Sequence, residues 1–158
     1  MFVGKGGDHA GGVRIFAKNH ILRDNWFIGC VYGGMLVYAG EDGHEAAGNI
    51  TMVSNTLVDC EGAISLGKSY EEHPGEPIIL RENFVSNSHG ERMIHHDDTH
   101  THYDFSAGNY FYGEDLGWQG DLPEGLVWEQ AAKDLGNEGL ERLEAIKCKA
   151  GPAWEQTC

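Results

Sequence analysis

Three groups of residues in this chain have types and spacing that could do chemistry. In the run HHDDTHTH (95–102), an extended strand would place His96, Asp98, His100 and His102 on one face by alternation. Neutral imidazoles with a carboxylate are ligands for Zn²⁺ or another transition metal. Same-face side chains on one strand rarely converge on an ion without a bend, and no second run offers matching ligands. A solvated polar ladder is therefore the competing reading. The loop KSYEEHPGEP (68–77) offers Tyr70 and His73 as candidate catalytic acid or base on a groove wall, among Lys68, Glu71, Glu72 and Glu76. A charged surface loop explains the same residues. Near the start, Lys5 and His9 sit on a Gly-rich turn ahead of Arg14, and all three are candidate substrate-binding residues. The planar guanidinium of Arg14 suits a carboxylate through two parallel hydrogen bonds.

Other chemistries are excluded. The GKGG and YGG turns lack the spacing and the following Ser or Thr of a phosphate loop. With 11 Lys and Arg against 25 Asp and Glu, a net charge of −14 and a pI near 4.9, the chain has no surface for nucleic acid. An acidic polysaccharide is still compatible, because distant charge is screened beyond roughly 8–10 Å and a few convergent cations can dominate one groove. No apolar run is long enough to cross a bilayer, so no membrane partner is expected. The opening MFVGKGGDHAGG lacks the charged and apolar regions of a signal peptide and leads straight into a strand end. That pattern gives the expectation that further coils of the same protein precede it. Cys30, Cys60, Cys148 and Cys158 have no CxxC spacing, so thiolate zinc is not expected. Cys30 and Cys60 fall at equivalent places in a repeat and read as buried free thiols, whereas Cys148 and Cys158 could close a small loop in an exported protein.

The repeat supplies the framework that must position these groups. ILRDNWFIGC (21–30), NITMVSNTLVDC (49–60), PIILRENFVSN (77–87) and DFSAGNYFYG (104–113) each run from apolar residues through a polar pair to an Asn and then an apolar or aromatic residue. From Asn25 to Asn55 is 30 residues, to Asn83 a further 28 and to Asn109 a further 26. A period in this range marks a solenoid or array. Short apolar runs rich in Val, Ile, Phe and Tyr, broken by Gly, Asn or Asp, give two or three strands per period. The expected fold is all-β, a right-handed parallel β-helix of about four to five coils over 1–117. Asn at a fixed place should take the left-handed bend and pair its amide with the neighbouring coil. Residues 118–158, with Leu126, Leu135, Leu140, Leu143 and Ile146 among Glu and Lys, read as a short helical or irregular segment that caps the last coil, together with Trp118, Trp128 and Trp154.

The segment GKGGDHAGGVRIFAKNHILRDNWF (4–27) resembles polysaccharide lyase family 6, the alginate lyases and chondroitinase B, at a Gly-Gly-Ile-Arg-Ile strand followed by a polar turn, a His and an Asn-Asn-Tyr-Phe-like strand. NITMVSNTLVDCEGAISLG (49–67) resembles the family's next coil, and GPAWEQ (151–156) its closing Gly-Pro-Ser-Trp. The likeness spans roughly residues 2–115 and 151–154. It implies cleavage of a uronate-containing polysaccharide, alginate or a glycosaminoglycan, by β-elimination. In the family Ca²⁺ neutralises the substrate carboxylate, a Lys takes the C5 proton and an Arg assists beside a His. Arg14 matches the groove arginine that holds substrate carboxylate. His20 matches the His of the polar turn, where a structural hydrogen bond is expected. The family's Ca²⁺ ligands, its Lys and its Arg-His-Gly motif precede the coil at which this chain begins, and no Arg-His-Gly occurs here. The resemblance thus implies a secreted or periplasmic lyase whose main catalytic coils lie upstream. A non-catalytic carbohydrate-binding or structural β-helix, or a metal enzyme built on His95–His102, are the alternatives.

Overall fold

The computed structural model describes residues 2–3, 12–31, 33–37, 47–66, 77–87, 92–96, 103–118 and 120–130. Fourteen short strands follow in order: β1 (Phe2–Val3), β2 (Val13–Ile15), β3 (Ile21–Arg23), β4 (Trp26–Ile28), β5 (Met35–Val37), β6 (Ile50–Val53), β7 (Thr56–Val58), β8 (Ile64–Leu66), β9 (Ile78–Arg81), β10 (Phe84–Asn87), β11 (Ile94–His96), β12 (Tyr103–Ala107), β13 (Asn109–Gly113) and β14 (Leu126–Gln130). They form three sheets: A, in the order β1-β4-β7-β10-β13-β14; B, β11-β8-β5-β2; and C, β12-β9-β6-β3. All pairings are parallel. From β2 to β10 each strand pairs with the strand three places on, so the chain visits B, C and A in rotation and each round stacks on the last. The described residues are all-β and contain no helix.

Parallel stacking in register brings like positions together. The inward row of sheet A is Phe27, Leu57, Val85 and Phe111. Sheet B contributes Met35, Ile64 and Ile94, and sheet C contributes Met52, Leu80, Ile50 and Ile78. All are fully buried in one shared core. Removing each large side chain from water stabilises the fold by roughly 1.5–3 kcal/mol. Gly12 and Gly34 are needed where rungs approach closely, because a Cβ on Gly12 would lie 2.0 Å from the Gly34 carbonyl oxygen.

The corner from sheet C to sheet A carries the repeated asparagine. The Nδ2 atoms of Asn25, Asn55 and Asn83 donate to Oδ1 of Asn55, Asn83 and Asn109 at 3.1, 3.0 and 3.0 Å. Their backbone N–H groups donate to the same oxygens. Each inner amide also donates to the last part of the strand one round earlier: Asn55 to Leu22 O, Asn83 to Met52 O and Asn109 to Leu80 O. The expected amide ladder is therefore present. The expected left-handed asparagine is not, since that conformation falls one residue earlier, at Asp24, Ser54, Glu82 and Gly108 (φ 56°, 52°, 53° and 48°). An asparagine in extended geometry can aim its amide along the stacking direction, and the bend must then be made by the residue before it.

Stacking does not stop at Gly113. Leu126–Gln130, read from sequence as part of a helical or irregular segment, forms β14 in register with β13 from Asn109↔Leu126 to Gly113↔Gln130. Asp115 and Leu116 likewise extend sheet B by accepting from the amides of Met93 and Ile94. Trp118 packs edge-on against Phe105 at 5.5 Å, and both Trp118 and Trp128 lie against the core. Residues 131–158, the remainder of the expected cap, lie outside the described residues, as do Cys148 and Cys158. Cys30 and Cys60 are buried free thiols at equivalent places after β4 and β7.

Candidate functional site

Alternation along sheet B defines one outward row. Arg14 pairs in register with Leu36, Leu36 with Ser65 and Ser65 with His95. Arg14 and His95 are exposed, and Ser65 is half-buried between them. Leu36 is buried although it points outward, because its Cδ2 leans over Gly33 and would lie 2.9 Å from a Cβ there. Four rungs at about 4.8 Å place the two ends of the row about 14 Å apart. The row thus offers a cation, an apolar step, a hydroxyl and an imidazole along a straight line across the strands.

The edge of the row is set by Arg92, whose Nε lies 3.6 Å from Asp115 Oδ2, with both side chains about half exposed. In that setting the pair adds little stability, and its effect is to orient the guanidinium. Gly117 closes over this point: a Cβ there would lie 2.2 Å from Arg92 Cγ and 2.1 Å from the Ile94 carbonyl oxygen, at φ +78°.

Of the residues singled out from sequence, Arg14 is placed on an exposed strand row and His20 on the polar turn after β2. His20 Nε2 donates to the Phe16 carbonyl at 2.9 Å, the structural hydrogen bond expected of it. Lys5, His9, Tyr70 and His73 lie outside the described residues, as do Asp98, His100 and His102. His96 is the last residue of β11 and pairs in register with Leu66, on the row of Val37 and Ile15. The structure instead brings its neighbour His95 onto the line of Arg14. Period-two alternation carried through β11 from the buried Ile94 is the signal that separates the two histidines.

Among the described residues no group of three or more His, Cys, Asp or Glu side chains is arranged to hold a metal ion. Of the described carboxylates, Asp24 and Asp115 are engaged by Arg23 and Arg92. No helix among the described residues is long and apolar enough to cross a membrane. Comparison with protein-family models, with curated proteins and with solved structures finds no match for this chain.

Proposed function

We propose that this chain is a run of right-handed parallel β-helix coils that binds an acidic, uronate-containing polysaccharide along the outer row of sheet B, as part of a lyase of the alginate lyase and chondroitinase B type. The observation that carries the reading is the row itself: exposed Arg14 and His95 aligned with Ser65 across successive rungs of a three-sheet stack. Groups spread over about 14 Å on one line suit a linear polymer better than a single small molecule. Arg14 would hold a uronate carboxylate through two charge-assisted hydrogen bonds, fixing the sugar ring and withdrawing charge from it. That offset is what β-elimination needs, since the C5 proton becomes acidic only as carboxylate charge is neutralised. Ca²⁺ supplies further neutralisation in the family this chain resembles. On that resemblance the protein is secreted or periplasmic.

Titration of the chain with alginate, polymannuronate, polyguluronate and dermatan sulfate, beside a neutral polysaccharide, tests the reading. Binding of one uronate polymer but not the neutral one, lost at high salt, is the expected result. Ultraviolet absorbance of the unsaturated uronate, followed in the same samples with and without Ca²⁺, separates the lyase from a carbohydrate-binding β-helix. Equal indifference to every polymer would sink the proposal.

A further inference from the structure

Cys30 and Cys60 stand at the same place on adjacent rungs, and the backbone keeps its register up to them. Ile28 pairs with Val58 at the ends of β4 and β7, the Gly29 amide donates to the Val58 carbonyl, and the Glu61 amide donates to the Cys30 carbonyl. The two side chains are also turned alike. Cys30 Sγ points to the Ile28 carbonyl at 4.0 Å and Cys60 Sγ to the Val58 carbonyl at 3.5 Å, each the oxygen two residues back. Sulfur therefore stacks on sulfur inside the shared core, with the two residues 1% and 0% exposed. The Cys30 side chain is close enough to act on the Cys60 thiol directly, through charge and a hydrogen bond.

Two thiols so placed meet the backbone requirement for a disulfide. Residues stacked on neighbouring rungs lie about 4.8 Å apart, and disulfides join Cα atoms about 4.4–6.8 Å apart. The chain between the two sulfurs runs through β5, β6 and β7, which is one complete turn of the stack. A bond across it makes that turn a covalent ring, unable to unwind or to slip against the turn before it. Arg14 and Leu36 of the outer row stand on these two turns.

We propose that Cys30 and Cys60 are a redox pair that closes into a cross-rung disulfide under oxidising conditions and locks one turn of the stack. A small-molecule disulfide serves as the oxidant. The two thiols give up two protons and two electrons, the Cys30–Cys60 bond forms, and the oxidant's S–S bond breaks to leave two thiols. The attacking species is a thiolate, and burial pushes the Cys60 thiol up to about 12. The exchange therefore runs while the turn is open, during folding, and the closed dithiol is inert at neutral pH. The pair acts in this way whether or not the outer row binds a polysaccharide.

The full chain, unfolded in urea with reductant and refolded by dilution into a mixture of reduced and oxidised glutathione, tests this. Remaining thiols are then alkylated and the disulfides mapped by mass spectrometry. A link from Cys30 to Cys60 within one chain is expected in most molecules. Recovery of both as alkylated thiols, or their joining to Cys148, Cys158 or a second chain, overturns the proposal. The oxidised chain should also unfold at a urea midpoint about 1 M above that of the same chain after reduction. Cys30→Ser should show no such rise, and equal midpoints in the native chain, or a rise that persists in the variant, overturn the lock.

Discussion

The corner between sheets C and A and the outer row of sheet B are built on the same rungs and obey opposite rules. At the corner the same residue recurs at Asn25, Asn55, Asn83 and Asn109, and in the inner members each amide hydrogen and oxygen is used within the ladder. Along the outer row the residue changes at every rung, from Arg14 to Leu36, Ser65 and His95. A position that repeats is one whose neighbours above and below dictate it. A position that varies while exposed is free of that constraint and open to a ligand. Substitutions at the corner should therefore cost stability, and substitutions on the row should cost binding.

The largest effect is expected from Asn83→Leu. Asn83 donates to Met52 O and Asn109 Oδ1 and accepts from the backbone and side-chain nitrogens of Asn55, all buried. The leucine leaves the Asn55 N–H and the Met52 carbonyl without partners, each costing about 1–3 kcal/mol. Urea unfolding should show a loss of about 3–5 kcal/mol. A loss under about 1 kcal/mol would mean that the ladder is ornamental and the comparison wrong.

A second effect of several kcal/mol belongs to alkaline pH. Burial pushes the Cys60 thiol up from 9.0 to about 12, against the lowering effect of backbone hydrogen bonds at Cys30 and Val58. The folded chain thus holds this proton to higher pH than the unfolded chain does. Below about pH 9 both states keep it, and stability is unaffected. Between about 9 and about 12 only the unfolded state releases it, and stability falls by about 1.4 kcal/mol per pH unit. Cys60→Ala should lower stability at neutral pH through lost packing but flatten this alkaline slope. An unchanged slope in the variant would show that the thiol does not control it.

Much of this framework was legible in the sequence, and the parts that were not have physical reasons. The period and the short β-rich runs foretold stacked strands, because in-register stacking requires like residues at like places. The amide ladder followed from the fixed asparagine. Its bend was read one residue late, since sequence marks which side chain repeats but not which φ turns the chain: Asp24, Ser54, Glu82 and Gly108 share a conformation with no common side chain. Strand β14 was hidden for a related reason. Leu126 stands on the rung of Asn109, so the marker residue is absent where stacking continues. On the outer row Arg14 stood out by type, but His95 was obscured by the richer cluster after it, whose Asp98, His100 and His102 lie outside the described residues.

The bend residues allow a smaller and opposite test. Glu82 holds a left-handed conformation that costs an L-residue roughly 1–2 kcal/mol, and Gly108 fills the equivalent place one round later. Glu82→Gly should relieve that strain, less about 0.5–1 kcal/mol for the added freedom of the unfolded chain. It also removes the exposed Ser54–Glu82 hydrogen bond. A net gain of about 0.5 kcal/mol in unfolding free energy is expected. Glu82→Ala, which keeps a Cβ, should give none, and equal behaviour of the two variants would remove the bend from the account.

The smallest change in stability is predicted where the change in binding is greatest. Arg14 lies on the exposed row of β2, so Arg14→Ala should move the unfolding free energy by no more than about 0.5 kcal/mol. If the guanidinium holds a uronate carboxylate, calorimetric titration with the bound polymer should show affinity about tenfold weaker, equivalent to about 1.4 kcal/mol. Arg14→Lys should recover only part of it, because an ammonium keeps the charge but loses the paired donors. A variant that binds as tightly as the native chain would strip the row of its ligand. One that unfolds as readily as Asn83→Leu would make Arg14 a structural residue and erase the difference between corner and row.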